Sequence, residues 1–358
     1  MSPTPTLAEA LARPHNAFSI LRLALAVAVV VSHAFSLSTG RLGDEPLFGL
    51  TGFTLGEHAV NGFFAVSGFL VTMSLDRRAL RDYALARTLR ILPGLVAATL
   101  VVSLALGAAL TRLPLAEYYG SPDLWRLILR TLTSFKSHAS LPGVFEDNPI
   151  RSPLGTVWTL KYETLCYLGV FLAGALRLLR WRWLAFTLVA GLSVSLIAVA
   201  AVNPVMPKGV ETALRLPLIF AGGAALYLWR DRIRLSAWPL LGLALAVLLR
   251  ETLLYRTVLF LAECYAAIWV AVAPALARPA LDLPADLSYG VYLYGWPIQQ
   301  TLYTLWPHTS LPVLLAASLV LSLAVAAVSW YAIEKPALRL KARAMGRRAI
   351  GTIEPAGP

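Results

Sequence analysis

Long apolar runs separated by short arginine-rich breaks make up nearly the whole chain. About 20 apolar residues at 1.5 Å per residue cross a bilayer. Runs of that order are read at 18–38, 59–75, 89–110, 156–176, 184–202, 211–228, 237–249, 253–276, 287–305 and 311–333. The pattern predicts an all-α, polytopic integral membrane bundle of about ten transmembrane helices. The seventh and eighth runs are the weakest, being interrupted by Arg250, Glu251 and Arg256. The first run is expected as a retained helix, because its apolar stretch is nearer ~20 residues than the ~7–15 of a leader core.

The longest connection, near 111–155, is amphipathic from Leu115 to Leu132 and then rich in Pro, Asn and Gly. It is expected to form a short interfacial helix followed by a turn-rich cap. The remaining organisation follows from these runs. Residues 1–17 are a tail, 18–338 the membrane domain and 339–358 a basic tail, with Pro3, Pro5, Pro355 and Pro358 marking loose ends. No internal repeat of the kind that builds secondary transporters is evident.

Composition agrees with this class. The 358 residues are 58% hydrophobic and 14% charged, against about 25% charged in an ordinary soluble domain. A net charge of +12 on a soluble chain would suggest nucleic acid. Here the cations gather in alternate breaks: Arg77, Arg78 and Arg81, then Arg177, Arg180 and Arg182, then Arg230, Arg232 and Arg234, and finally Lys335, Arg339, Lys341 and Arg343. By the positive-inside rule those breaks and both termini face the cytoplasm of a multi-pass inner (plasma) membrane protein. Membrane lipids, and no nucleic acid, are the expected surroundings. Cys166 and Cys264 fall in apolar runs and show no metal-ligand spacing, so no metal is expected.

Ionisable side chains inside spans are costly and mark candidate sites. They are Arg22 and His33 in the first run, Lys161 and Glu163 in the fourth, Arg215 in the sixth and Glu263 in the eighth. Arg22 and His33 are eleven residues apart, which returns them to nearly the same helix face about 16 Å apart along the axis. They are expected to mark the two ends of one groove, with Ala26 and Val29 between them.

The Arg22-x10-His33 spacing occurs with Asn61-Gly-Phe-Phe-Ala-Val-Ser-Gly-Phe-Leu70, Trp158-Thr-Leu-Lys-Tyr-Glu163, Ser288-Tyr-Gly-Val-Tyr-Leu-Tyr-Gly-Trp-Pro297 and Glu334-Lys-Pro336. In these motifs and their order the chain resembles the membrane-bound acyltransferase family 3. The resemblance implies a bundle of about ten helices that uses acyl-CoA, here acetyl-CoA, as donor from the cytoplasmic side and O-acylates a hydroxyl of a carbohydrate or glycan acceptor. One departure is Gly295, where many relatives carry a histidine.

Under that resemblance His33 and Glu163 are the candidate catalytic residues. An imidazole can take the acceptor's proton as general base or carry the acyl group covalently, and the sequence leaves both open. Glu163 either orients His33 or forms a structural pair with Lys161 or Arg215. Arg22, Arg87 and Arg90 are the candidate donor-binding residues. Arg87 and Arg90, at i and i+3, share a face that suits phosphates, and equally suits anionic headgroups. Trp158, Asn148 and Tyr292 are assigned to the acceptor. Trp158 and Tyr292 read first as interfacial aromatics, with stacking of Trp158 on a sugar ring as the alternative, and Asn148 lies in the stretch 145–149 expected to frame the mouth above His33. Gly62, Ser67 and Gly68 read as small residues for close helix packing. Two rival classes stay open: a transporter or flippase of a glycan or lipid-linked substrate, and a sensor or assembly subunit whose buried charges are structural.

Overall fold

The computed structural model describes residues 4–203 and 205–344. Pro3 and the part of the expected basic tail beyond residue 344, with Pro355 and Pro358, lie outside the described residues. In chain order the helices are α1 (Leu7–Leu11), α2 (Phe18–Thr39), α3 (Pro46–Thr51), α4 (Leu55–Asp76) and α5 (Leu80–Leu110). Then follow α6 (Leu115–Gly120), α7 (Pro122–Ser134), α8 (Thr159–Ala175), α9 (Arg182–Val202) and α10 (Lys208–Leu228). The last are α11 (Trp238–Leu248), α12 (Tyr255–Val272), α13 (Ser288–Leu305), α14 (Leu311–Ser329) and α15 (Lys335–Ala344).

Each apolar run is helical, and the fold is an all-α membrane bundle. Among the described residues seven helices are long and apolar enough to cross a membrane: α2, α4, α5, α9, α10, α12 and the continuous α14–α15 rod. The other three runs depart from that standard for distinct reasons. At 17 residues α8 is short, and α11 is shorter still. Helix α13 is polar, carrying Tyr289, Tyr292, Tyr294, Gln299 and Gln300, all buried. It tolerates them because protein rather than lipid surrounds it.

Two helices begin earlier than apolar content alone suggests. Helix α4 starts at Leu55 rather than 59, fixed by a capping box in which Thr54 and Glu57 satisfy each other's backbone amides. Helix α5 starts at Leu80 rather than 89, so Arg87 and Arg90 sit a full turn or more inside the helix rather than at its mouth.

Short connections reverse the chain repeatedly and define two ends. At the basic end the amide of Ala17 donates to the carbonyl of Ala271 (2.7 Å), and Arg182 pairs with Asp231 (2.7 Å). The N-terminal tail departs from the expected loose segment. Helix α1 has its own capping box from Thr6 and Glu9, buries Leu7 and Ala10, and is pinned when Leu7 donates to Ile233 and Leu235 donates to Pro5. At the opposite, loop end, α6 and α7 supply the expected amphipathic cover. Leu124, Leu127 and Ile128 face inward while Trp125 and Leu129 are exposed.

Helix α4 is the axis of the bundle, 67% buried over its apolar window against 22% for the peripheral α9 and for the α14–α15 rod. Its depth depends on two glycine contacts with α10. A Cβ on Gly68 would overlap the carbonyl of Phe220, and one on Gly223 would overlap the carbonyl of Ala65. The backbones therefore touch, as small residues allow. Gly62 likewise faces the Leu25 side chain of α2. Ser67 lies between these glycines and has a different task.

Candidate functional site

Two cavities enter the bundle from opposite ends, and both are walled by α2, α4, α8 and α13. The basic-end cavity is lined by Arg22, Ser67, Arg87, Arg90, Glu163, Tyr167 and Tyr289. The loop-end cavity is lined by His33, Ser36, Glu57, Trp158, Tyr162, Arg215 and Trp296. Val60, Thr159 and Tyr292 line both. They form a septum, closed by hydrogen bonds: the Tyr292 hydroxyl lies 2.6 Å from Thr159 Oγ1 and donates to the Thr156 carbonyl (2.9 Å), and Thr156 Oγ1 donates back to the Tyr292 carbonyl (3.1 Å).

Arg22 and His33 both face α13, as their spacing requires. Arg22 meets Asp286 just before the start of that helix (2.6 Å), and the His33 ring meets Trp296 edge-on with centroids 4.9 Å apart. They stand in different cavities. Of the two residues between them, Val29 lines the loop-end cavity, whereas Ala26 is turned away into a cluster with Val291 and Ala326.

At the basic end, Asp286 accepts from Arg22 and from Arg90 Nη2 (2.7 Å) on one oxygen, and from the Ser288 hydroxyl (2.5 Å) and amide (3.3 Å) on the other. Burial works against a charge on Asp286, but Arg90, Arg22 and the Ser288 donors outweigh it and hold its carboxyl well below the ordinary aspartate range. Arg90 also lies 4.0 Å from Glu334, which a π-turn at Trp330–Glu334 carries inward. Arg87 is different. It stacks over the Tyr167 ring (5.7 Å), its buried Nε has no partner, and it makes no ion pair among the described residues.

Several expectations need correction here. Glu163 does not reach His33, Lys161 or Arg215. It accepts from the Tyr167 hydroxyl and from Ser67 Oγ (3.3 Å) in the basic-end cavity. Ser67 is therefore a hydrogen-bonding residue as well as a small one. Lys161 is exposed, over the Tyr162 ring. Asn148 lines neither cavity. It is buried, donating to the backbone carbonyl (3.1 Å) and side chain (2.6 Å) of Gln300 and accepting from Thr304 (3.0 Å). Its amide ties the loop to α13 and leaves nothing for an acceptor. Nor does the stretch 145–149 frame the mouth: none of its residues lines the cavity, and Phe145 and Asn148 are buried. Ile150, Ser152, Gly155 and Trp158 line it instead. The carbonyl of Ile150 accepts from Gln300 and that of Ser152 from Trp296 Nε1 (2.7 Å).

Trp158 lines the loop-end cavity. Tyr292 is in the septum and touches both chambers. Gly295 lies against Val30, whose methyl would be 2.7 Å from a Cβ, so this packing has no room for the histidine of other relatives.

Asp286 was not legible as a site residue, although Asp-x-Ser ahead of an apolar run is a helix-start signal. The loop end also holds a polar cluster around Glu263, whose partners the spacing did not show. Glu263 takes His58 Nδ1 on one oxygen and Asn61 (2.6 Å) on the other, while His58 Nε2 meets Thr51 (2.8 Å).

The comparisons with known proteins agree with this picture. A family model described as an acyltransferase domain matches residues 15–332. An O-acetyl transferase of Shigella phage Sf6 is 27% identical over 328 residues, covering 89% of this chain and 95% of that protein. Nodulation protein 10 of Rhizobium leguminosarum bv. viciae is 29% identical over 374 residues, covering 93% and 96%. No solved structure matches. With a family model spanning nearly its whole length and both cavities, the chain belongs to the acyltransferase 3 family.

Proposed function

We propose that the protein is an O-acyltransferase of the cell inner membrane that moves an acyl group, foremost acetyl, from acyl-CoA at its basic end to a hydroxyl of a carbohydrate or glycan acceptor at its loop end. The basic end would face the cytoplasm, where the positive-inside bias puts it. The observation that carries the proposal is the shared septum: Val60, Thr159 and Tyr292 separate an arginine-lined chamber from one that holds His33 and Trp158. A donor's thioester held at the septum would be delivered from the basic-end chamber and attacked by the acceptor hydroxyl from the loop-end chamber.

Each chamber suits its part. Arg87, with no carboxylate partner, offers a guanidinium to the donor's phosphates. The apolar wall of Phe63, Phe64 and Val66 would keep water from the thioester. In the loop-end chamber His33 acts as general base. The acceptor hydroxyl gives its proton to the imidazole as its oxygen bonds the acyl carbon, the carbon–sulfur bond breaks, and the leaving thiolate takes the proton back. No acidic side chain hydrogen-bonds His33 among the described residues, so the ring can act as the neutral base this step requires.

The relative from phage Sf6 is named an O-acetyl transferase, which supports acetyl and a hydroxyl acceptor here. The test is purified protein in nanodiscs with labelled acetyl-CoA and a panel of glycans. Label should pass to a hydroxyl acceptor, and His33→Ala should reduce transfer at least ~100-fold with the thermal midpoint retained. Transfer at the wild-type rate in a folded His33→Ala protein would contradict the assignment.

A further inference from the structure

The wall of the loop-end cavity contains a closed ring of charge. Lys208 pairs with Glu57 and lies 3.3 Å from Glu211, while Arg215 lies 2.9 Å from Glu211 and 3.7 Å from Glu57. Two cations and two carboxylates cancel. The ring is set deep: Arg215 is 1% exposed, its guanidinium lying over Phe53 (5.4 Å) and Phe260 (5.8 Å). Lys208 closes it toward solvent, with 60% of its side chain exposed.

Three polar atoms of this cavity's lining residues are buried without a hydrogen-bond partner, Arg215 Nε among them although it faces Glu211. The other two are Arg215 Nη1 and Ser36 Oγ, one turn beyond His33 on α2. Buried groups of this kind are rare unless a ligand or water completes them. Ser36 can donate and accept, Arg215 only donates, and Glu57 only accepts. Trp158, Tyr162 and Trp296 add aromatic surface, which suits the apolar face of a sugar ring. An anionic group brought into this chamber would find both cations already paired and would face Glu57 and Glu211, so only the Arg215 Nη1 and Ser36 donors would offset its lost hydration.

Resting on the acyltransferase reading above, we infer that the loop-end cavity selects an uncharged polyhydroxylated ring, with Arg215, Glu57 and Ser36 hydrogen-bonding its hydroxyls, and discriminates against acidic sugars. The cavity's selectivity then comes from the neutrality of the ring as much as from shape. Removing one carboxylate leaves a spare cation and opens the site to acidic rings.

The probes are a neutral hexose tetrasaccharide and its counterpart oxidised to the uronic acid at C6, with binding to the full protein in nanodiscs read by saturation-transfer NMR. The neutral tetrasaccharide should bind at least ~10-fold more tightly than the acidic one, since each spare or missing charge contact is worth about that factor. Glu57→Gln should narrow this ratio at least several-fold by strengthening acidic binding. Because Glu57 also caps α4, the exposed Lys208→Gln is the second variant, and it should widen the ratio by leaving the wall net negative. Equal binding of the two sugars by the wild type, or a ratio that neither variant moves, overturns the inference. Acetyl transfer is measured in parallel. Selective sugar binding without any transfer from acetyl-CoA counts against the enzymatic reading alone and leaves the recognition ring standing.

Discussion

The arginines of the two cavities are held in different ways. At the loop end, Arg215 and Lys208 are closed into a balanced ring with Glu57 and Glu211. At the basic end, Arg22 and Arg90 converge on one oxygen of Asp286, and Arg87 is left to a tyrosine face. A neutral chamber suits an acceptor that must be oriented by many weak hydrogen bonds. A chamber with an uncommitted guanidinium suits a polyanionic head that needs one strong contact. The difference also separates scaffold from site, because Asp286 has the geometry of a clamp that sets α2, α5 and α13 in register.

The largest effect on stability should come from breaking that clamp. Asp286→Asn leaves two part-buried guanidinium groups without their shared carboxylate. Losing one partner of a fully buried pair costs ~3–5 kcal/mol; with the Asp286 side chain 23% exposed, a loss of about 2–3 kcal/mol is expected, read as a lower thermal midpoint. The same clamp has a pH signature. Because the folded-state pKa of Asp286 is depressed, its contribution is complete above the ordinary aspartate value near ~3.9 and is lost as pH falls below it toward the depressed value. Asp286→Asn should lack that acid limb.

A smaller effect should sharpen the contrast among the arginines. Arg87→Ala should raise the apparent donor KM about 10-fold with little change in kcat, as expected when a contact remote from the reacting bond is lost. Arg90→Ala should instead lower the thermal midpoint, because it unpairs Asp286 and Glu334 together. Equal KM effects of the two substitutions would remove the distinction. The smallest effect is at the septum. Tyr292→Phe loses the hydrogen bonds to Thr159 and Thr156, a change of about 1 kcal/mol. It should raise acceptor-independent hydrolysis of acetyl-CoA by roughly 2–5-fold as water passes between chambers.

Much of this architecture was legible from the chain alone. The apolar runs fall on the observed helices because a bilayer demands length and hydropathy together. The Arg22 and His33 spacing placed both residues on one helix face, but the single groove expected between them is two cavities divided by the septum. Errors arose where charge sits inside a helix. Arg81, Asp82, Arg87 and Arg90 lower the local hydropathy of α5 and hid its start at Leu80. Partnerships were not legible. Arg22 and Asp286 are 264 positions apart; the i, i+4 spacing allowed Glu163 to meet Tyr167, but nothing in the chain says that Glu163 also serves Ser67 or that Asn148 ties down the loop. The capping box at Thr54 and Glu57 was readable as a helix start, but not the double duty by which Glu57 also holds Lys208 and Arg215.

The central claim is that donor and acceptor approach one septum from opposite ends of the bundle. Proteoliposomes with the protein in a single, protease-verified orientation test it, with acetyl-CoA confined to the basic-end side and a membrane-impermeant glycan confined to the loop-end side. The account predicts acetylated glycan in that compartment, lost on His33→Ala. Product that forms only when acetyl-CoA and glycan share a compartment would contradict it.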